Sequence, residues 1–359
     1  MRVLIYPRGD NPYQELLYQQ LRQNPGDKFT YIDSTRLNIV FFPLILGARR
    51  AQGYEILHLH WLAFQTNILT VYGKQLSFVL TLWSVTWAKL LRYKVVWTVH
   101  NVLPHESVTS NDTTVARYVA KIADAKIVHS SSALKQMRDY GISVENTNII
   151  PAGNYIGVYL DSITPVQARH QLHVNKGDFL ILFFGLIRSY KGVDDLVDIF
   201  TQINALNVRL IIAGKCLDET LNHKILEAQN NSNIDYYEGF IENSDVATYF
   251  KACDIVCLPF KAVTTSGSAL LALSFGKPLI APRTGALLDV PEDIGYLYDP
   301  TTPDALRKSI AKAIKEKAKL REKGDAALAY AKNLSWDSLA ETTYKVYENV
   351  LNRSATNTR

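Results

Sequence analysis

The chain has 359 residues, 47% of them hydrophobic and 20% charged, with a formal net charge of +5. That length is too great for one small core and suits two domains, and the composition fits a soluble globular protein. The charge is uneven: residues 1–150 carry 16 Lys and Arg against 10 Asp and Glu, the remainder 23 against 24. A basic first half suits an anionic partner such as a phosphate-bearing substrate or a membrane surface, and equally a solvated face. No dense basic stripe or recognisable module points to nucleic acid. The three cysteines, Cys216, Cys253 and Cys257, lack framework spacing and suit a reducing compartment, which predicts a cytoplasmic location. The apolar run at the N-terminus is too short for a signal peptide, and the stretch from Leu76 to Leu91 falls short of the ~20 residues a spanning helix needs.

In chain order, Val3 to Tyr6 reads as a buried first strand, followed by the turn-rich run Pro7 to Pro12 and a helix from Tyr13 to Gln23. A strand, a loop bearing Gly9 and a helix suit an α/β domain with its ligand above the strand ends. Gly9 either lets backbone approach a ligand or serves a tight turn. Phe29 to Asp33 and Ile56 to His60 are β-like. The intervening run from Ile39 to Arg50 is strongly apolar and ends in two arginines, and residues 61–91 are rich in Trp, Leu, Phe and Val. These stretches read either as helices packed on the sheet or as a membrane-seeking surface. In the second case Arg49, Arg50, Lys89, Arg92 and Lys94 would meet anionic head groups at the inner face of the cytoplasmic membrane. Val95 to Val99 is a strand that delivers His100 into a loop with Glu106, where a histidine and a carboxylate can orient or deprotonate a hydroxyl. Taken alone, His100 is also explained as a satisfied structural histidine. Strands at Lys126 to Ser130 and Asn148 to Ile150, with a helix from Ser132 to Tyr140, complete an N-terminal domain over residues 1–160.

The second domain, residues 161–334, opens with a short helix from Thr164 to Leu172 and the apolar strand Phe179 to Phe184. That strand runs into Gly185, Arg188 and Lys191 before a helix to Phe200. Two cations in one strand-to-helix turn can clamp a diphosphate, Arg as a planar fork and Lys as a point charge. Leu210 to Ala213 ends at Gly214, and Asp235 to Glu238 ends at Gly239, Phe240 and Ile241, with a helix from Ser244 to Cys253. Residues 255–282 then form strand, loop, helix and strand, a βαβ crossover of parallel-sheet type. Thr264, Thr265, Ser266, Gly267 and Ser268 feed the start of a helix from Ser268 to Phe275, where free N–H groups and the dipole favour an anion. Ser266 or Ser268 is also explained as an ordinary cap. Pro303 to Lys323 reads as a charged helix pair, Trp336 to Leu351 as a last helix, and the tail from Asn352 as disordered.

These motifs together resemble the GT-B glycosyltransferases of the large retaining group often called family 4. LFFGLIRSYKGVDDLVDIF is similar to that family's strand-turn-helix, which implies Arg188 and Lys191 at a donor diphosphate. YYEGFIENSDVATYFKACDIVCLPF resembles its nucleotide-base segment, implying Phe240 and Ile241 at the base. SFGKPLIAP and LSWDSLAETTYKVYENVL match its strand after the donor helix and its last helix, here 335–352, which crosses back to the N-terminal domain. WTVHN resembles the strand whose histidine, here His100, contacts the donor sugar. The resemblance implies two Rossmann-like domains facing each other across a cleft and a metal-independent sugar transfer from a UDP- or GDP-sugar. It also implies an acceptor on the first domain, for which the apolar and basic stretches suggest a lipid-linked saccharide. One departure is clear: the family's two glutamates, eight positions apart, fall on Val263 and Leu271. Hydroxyls of the Thr264–Ser268 segment are the substitutes, and for an inverting reaction Glu106 and Asp10 are the candidate bases. A sugar-nucleotide epimerase and a non-catalytic nucleotide-sugar-binding subunit are the rival readings.

Overall fold

The structure is a computed structural model, and it describes residues 1–9, 12–33, 35, 38, 41–62, 74–103, 112–203, 207–230 and 233–356. The chain divides into two compact units, residues 1–153 with 336–359 and residues 154–335. The chain therefore leaves the first unit after Gly153 rather than near residue 160, and re-enters it at Trp336.

Among the described residues the first unit is built on six strands, β1 (Arg2–Tyr6), β2 (Lys28–Tyr31), β3 (Ile56–Leu59), β4 (Lys94–Val99), β5 (Ala125–Val128) and β6 (Thr147–Ile149). They form one parallel sheet in the order β2-β1-β3-β4-β5-β6. The register places Val3 beside Ile56 and Leu57 beside Val95, so apolar side chains line both faces, as a sheet covered by helices on both sides requires. Among the described residues its helices are α1 (Pro12–Leu21), α2 (Phe42–Ala51), α3 (Lys74–Leu90), α4 (Asp112–Ile122) and α5 (Ser131–Asp139). Ser130 caps α5 by accepting a hydrogen bond from Ala133 N at 3.1 Å, satisfying a donor the helix start leaves unpaired.

The second unit repeats the plan with β7 (Phe179–Phe184), β8 (Val208–Gly214), β9 (Ile234–Glu238), β10 (Ile255–Cys257), β11 (Leu279–Pro282) and β12 (Gly295–Tyr298), parallel in the order β12-β11-β10-β7-β8-β9. All six residues of β7 are buried, which explains its unbroken apolar run. Its helices are α6 (Pro165–Gln171), α7 (Val193–Phe200), α8 (Glu219–Ala228), α9 (Val246–Ala252), α10 (Gly267–Ser274), α11 (Ala305–Lys315) and α12 (Leu320–Asn333). A capping box between Thr164 and Gln167 starts α6, and Asp218 caps α8. The expected helix pair at 303–323 is instead α11, a 3-10 turn at Lys317–Lys319 and the longer α12.

The last helix, α13 (Trp336–Thr356), belongs to the first unit and packs on α1. It runs beyond Leu351, so residues 352–356, expected as tail, are helical. Val346, Tyr347 and Val350 carry its buried face down its length. Among the described residues no helix is long and apolar enough to cross a membrane.

Candidate functional site

In the second unit two strand ends and a helix start are drawn together by glycines. Beyond β7 the chain continues its pairing with β8 through Gly185 N to Ala213 O at 2.9 Å and Ile187 N to Lys215 O at 2.8 Å. Gly185 (φ +111°) and Gly214 (φ +151°) lie so close that a Cβ on Gly214 would sit 2.0 Å from the Gly185 carbonyl oxygen. No larger residue fits there. Ser189–Lys191 forms a 3-10 turn after Arg188, and Gly192 (φ +70°) starts α7.

This turn brings Lys191 over Gly185. A Cβ built on Gly185 would lie 2.8 Å from Ser268 Oγ and 3.6 Å from Lys191 Nζ, so the ammonium and the hydroxyl converge on one point. Burial, and next the charge of Arg188, lower the Lys191 pKa to about 8. Arg188 is half-buried, and its charge reaches Lys191. Ser266 is the N-cap of α10, accepting from Ala269 N at 3.1 Å, and Gly267 and Ser268 are the first two helical residues. The ordinary-cap reading thus applies to Ser266, while Ser268 points towards the glycine-lined floor. The helix start is where partial positive charge concentrates, so a guanidinium, an ammonium and a dipole end occupy one neighbourhood. Such an arrangement can hold a diphosphate.

The other residues singled out from the sequence are placed as follows. Thr264 is buried and its carbonyl accepts from Ala286 N at 3.1 Å, while Thr265 is half-buried. Phe240 is 72% exposed after Gly239 (φ +122°), and Ile241 packs against the core. Val263 and Leu271, the positions of the family's glutamates, are core residues, 6% and 7% exposed. Glu106 and Asp10 lie outside the described residues. Cys253 and Cys257 are buried and Cys216 is half-buried, all three as free thiols.

In the first unit His100 follows β4 directly and lies in a cluster that the sequence reading missed. Its Nε2 is 3.0 Å from His60 Nδ1, and its Nδ1 is 3.3 Å from His129 Nε2. His129 Nδ1 donates to Ile150 O at 2.9 Å. His60 Nε2 meets the Tyr18 hydroxyl at 2.8 Å, and that hydroxyl also lies 2.7 Å from His58 Nδ1. His58 in turn meets Tyr347 of α13 at 2.6 Å and Thr98 at 2.7 Å. The ring of Trp61 stacks on His100 with centroids 4.6 Å apart, and Tyr13 meets the same imidazole edge-on at 5.0 Å. Gly9 packs against Trp61: a Cβ there would lie 2.4 Å from the indole. Both ring nitrogens of His100 are thus within hydrogen-bond reach of other imidazoles. Burial lowers the pKa of His58 to about 3 and of His129 to about 4, and pushes His60 and His100 down in the same direction, so all four are neutral at pH 7. The signal that was present is positional. His60, His100 and His129 each stand just past the C-terminal end of a strand, where parallel α/β sheets meet their ligands. Among the described residues no group of three or more histidine, cysteine or carboxylate side chains is arranged to hold a metal ion.

Residues 167–330 match the family described as Glycosyl transferases group 1. The GDP-mannose:glycolipid 4-beta-D-mannosyltransferase of Xanthomonas campestris pv. campestris is 26% identical over 257 residues, covering 68% of this chain and 67% of the relative. The lipopolysaccharide 1,2-N-acetylglucosaminetransferase of Salmonella typhimurium is 25% identical over 233 residues, 61% of this chain and 60% of that one. Among solved structures, sucrose-phosphate synthase from Thermosynechococcus elongatus superposes with a TM-score of 0.77 at 18% identity, over 98% of this chain and 99% of its own. Anabaena HepE, solved in complex with UDP and glucose, gives 0.75 at 17% identity over 97% and 100%. At those identities the solved structures speak for the fold. The chain resembles the Glycosyl transferases group 1 family, which its residues 167–330 match, and its two Rossmann-like units are those of the GT-B glycosyltransferase fold.

Proposed function

We propose that this chain transfers a sugar from a nucleotide diphosphate sugar, UDP- or GDP-linked, to a hydroxyl of a lipid-linked or saccharide acceptor in polysaccharide or glycolipid biosynthesis. The observation that carries the reading is the convergence of Lys191 Nζ and Ser268 Oγ over Gly185, beside Arg188 and the start of α10. In the transfer the acceptor oxygen bonds the anomeric carbon, the bond from that carbon to the diphosphate breaks, and the acceptor proton leaves to a base. Negative charge grows on the departing diphosphate, and the two cations with the helix N–H groups stabilise it where it develops. Those groups do the work a divalent metal does elsewhere, so turnover is expected to survive a chelator. The relatives act on GDP-mannose and on lipopolysaccharide, and HepE was solved with UDP, which supports a sugar nucleotide without choosing its base.

The acceptor reading has its own support in the first unit. Leu44 on α2 and Val79, Trp83 and Leu90 on α3 are all more than half exposed, although both helices are largely apolar. Arg50, Lys89, Arg92 and Lys94 line a cavity of about 440 Å³ in the same unit together with Glu55, and Asp124 pairs with Lys89 at 2.6 Å and Lys94 at 3.7 Å, so Arg50 and Arg92 are the cations that carry this reading. Exposed apolar side chains with nearby cations fit an anionic bilayer, from whose inner cytoplasmic face a lipid-linked saccharide would be taken.

Thermal unfolding of the purified chain with UDP, GDP, ADP and their sugar conjugates tests the donor, since a ligand that binds only the folded state raises the midpoint with occupancy. One nucleotide diphosphate should stand out, and Arg188→Ala with Lys191→Ala should erase its effect. Equal stabilisation by all, or by none, would remove the assignment. Release of free epimerised nucleotide sugar would favour an epimerase, and binding without hydrolysis or transfer a non-catalytic subunit.

A further inference from the structure

Four histidines of the first unit, His58, His60, His100 and His129, form a column whose hydrogens can be assigned from its ends. A backbone carbonyl only accepts, so His129 Nδ1, 2.9 Å from Ile150 O, carries a hydrogen. A neutral imidazole has one, so His129 Nε2 is an acceptor. The hydrogen between it and His100 Nδ1 therefore belongs to His100. His100 Nε2 is then an acceptor in its turn, and His60 Nδ1, at 3.0 Å, donates to it. His60 Nε2 is left to accept from the Tyr18 hydroxyl at 2.8 Å. His58 closes the column in either of two ways, donating from Nδ1 to a tyrosine oxygen or accepting there from Tyr347. Among the described residues, Trp61 and Tyr13 also pack on these rings.

We infer that His60 and His129 are positioning residues that hold His100 as the neutral Nδ1–H tautomer, so that a ligand reaching this imidazole meets a hydrogen-bond acceptor at Nε2. The inference rests on the sugar-transfer reading only for what that ligand is, namely a donor or acceptor sugar hydroxyl that brings its own hydrogen and competes with His60. A keto or carboxylate group at the same place would be rejected, because acceptor would face acceptor. His129 is the origin of the polarity: its link to a main-chain carbonyl cannot be reversed by any rearrangement of side chains. His60 aligns the lone pair, and Trp61 and Tyr13 keep the ring from turning.

The test is nitrogen NMR of the full chain labelled at histidine, with signals assigned through single His→Gln variants. At pH 7 wild-type His100 should show hydrogen on Nδ1 and none on Nε2. Finding it on Nε2, or on both, overturns the inference. His129→Phe removes the acceptor and should release His100 into a mixture of tautomers, whereas His129→Gln, whose carbonyl oxygen replaces Nε2, should keep the wild-type signal. A His100 signal unchanged in His129→Phe also overturns it; should that variant not fold, the wild-type assignment decides alone. With a transfer assay on the sugar nucleotide picked out by thermal unfolding, His129→Phe should lose roughly tenfold to hundredfold in turnover. His129→Gln should stay within a few-fold of wild type, although both lose the imidazole. If no nucleotide sugar is turned over, the function fails while the tautomer stands or falls on its own measurement.

Discussion

Acid should unfold the first unit before carboxylate titration requires it. His58 and His129, ordinarily near 6.5, are held at about 3 and about 4 by burial. The unfolded chain therefore binds more protons than the folded one between those values and 6.5, so stability is complete above about 6.5 and falls as the pH drops. At pH 5 each histidine removes about 2 kcal/mol, and the two together about 4 kcal/mol. His60 and His100 act in the same direction. Against a typical stability of roughly 5–15 kcal/mol, that is a large share. The assay is urea denaturation at pH 7.5, 6 and 5 followed by tryptophan fluorescence. All five tryptophans, at 61, 83, 87, 97 and 336, lie in the first unit, so the signal reports on it alone. Carboxylates also titrate in acid, and the double variant His58→Gln/His129→Gln separates the two effects because it retains every one of them. It should lose about 4 kcal/mol less than wild type on going to pH 5. An equal loss in both proteins would mean that these imidazoles are not held neutral in the folded state.

Further outcomes follow from the same geometry. Lys191→Ala should lower turnover about 10²–10³-fold, as removal of a transition-state charge partner does, with little change in unfolding midpoint in the absence of nucleotide. Because Lys191 titrates near 8, nucleotide diphosphate affinity should weaken as the pH rises from 7 to 9, and Lys191→Arg should flatten that fall; calorimetric titration measures both. Gly192→Ala should destabilise the second unit by about 1–3 kcal/mol from its left-handed backbone alone, and more from the Pro259 carbonyl 2.0 Å from the new Cβ, read by circular dichroism. Leu44→Glu with Trp83→Glu should abolish flotation with anionic liposomes, and flotation that persists, or that is insensitive to salt, would remove the membrane surface.

What could be read from the sequence is what neighbours in sequence determine. The strand Phe179–Phe184, its glycine and its two cations sit within thirteen residues, and a buried parallel strand followed by a turn leaves few ways to arrange them. The helix start at 266–268 was legible for the same reason, through small hydroxylic residues ahead of an apolar run. Their meeting over Gly185 was not, because it depends on how β10 is laid beside β7, which is set by packing. The histidine column was least legible of all. His60, His100 and His129 are separated by 40 and 29 residues and converge only through the strand order β3-β4-β5, while Tyr347 arrives from the far end of the chain. A contact of that kind leaves no spacing to detect, and each histidine alone reads as ordinary core. The last helix was expected to stop at Leu351 because its sequence turns polar there, but a polar face is what a helix with one buried stripe shows.

Burial acts on both candidate sites in the same sense and leaves them in opposite charge states. Desolvation disfavours the charged form of any base, and it lowers Lys191 as it lowers the histidines. An ammonium starts near 10.5 and reaches about 8, still protonated at neutral pH; an imidazole starts near 6.5 and reaches about 3 or 4, fully neutral. One unit therefore keeps a desolvated cation, which suits a diphosphate because the missing hydration is restored by the ligand's own charge. The other keeps uncharged rings that both donate and accept, which suits hydroxyl groups, whose hydrogen bonds need direction rather than net charge. Exchanging the residue types would defeat each proposed role: a histidine at 191 would be neutral and could not hold the anion proposed there, and a lysine at 129 would have no lone pair to fix its neighbour. The choice of lysine in one place and histidine in the other follows from where their ordinary pKa values lie relative to pH 7, given that the half-buried ammonium and the imidazoles are both desolvated.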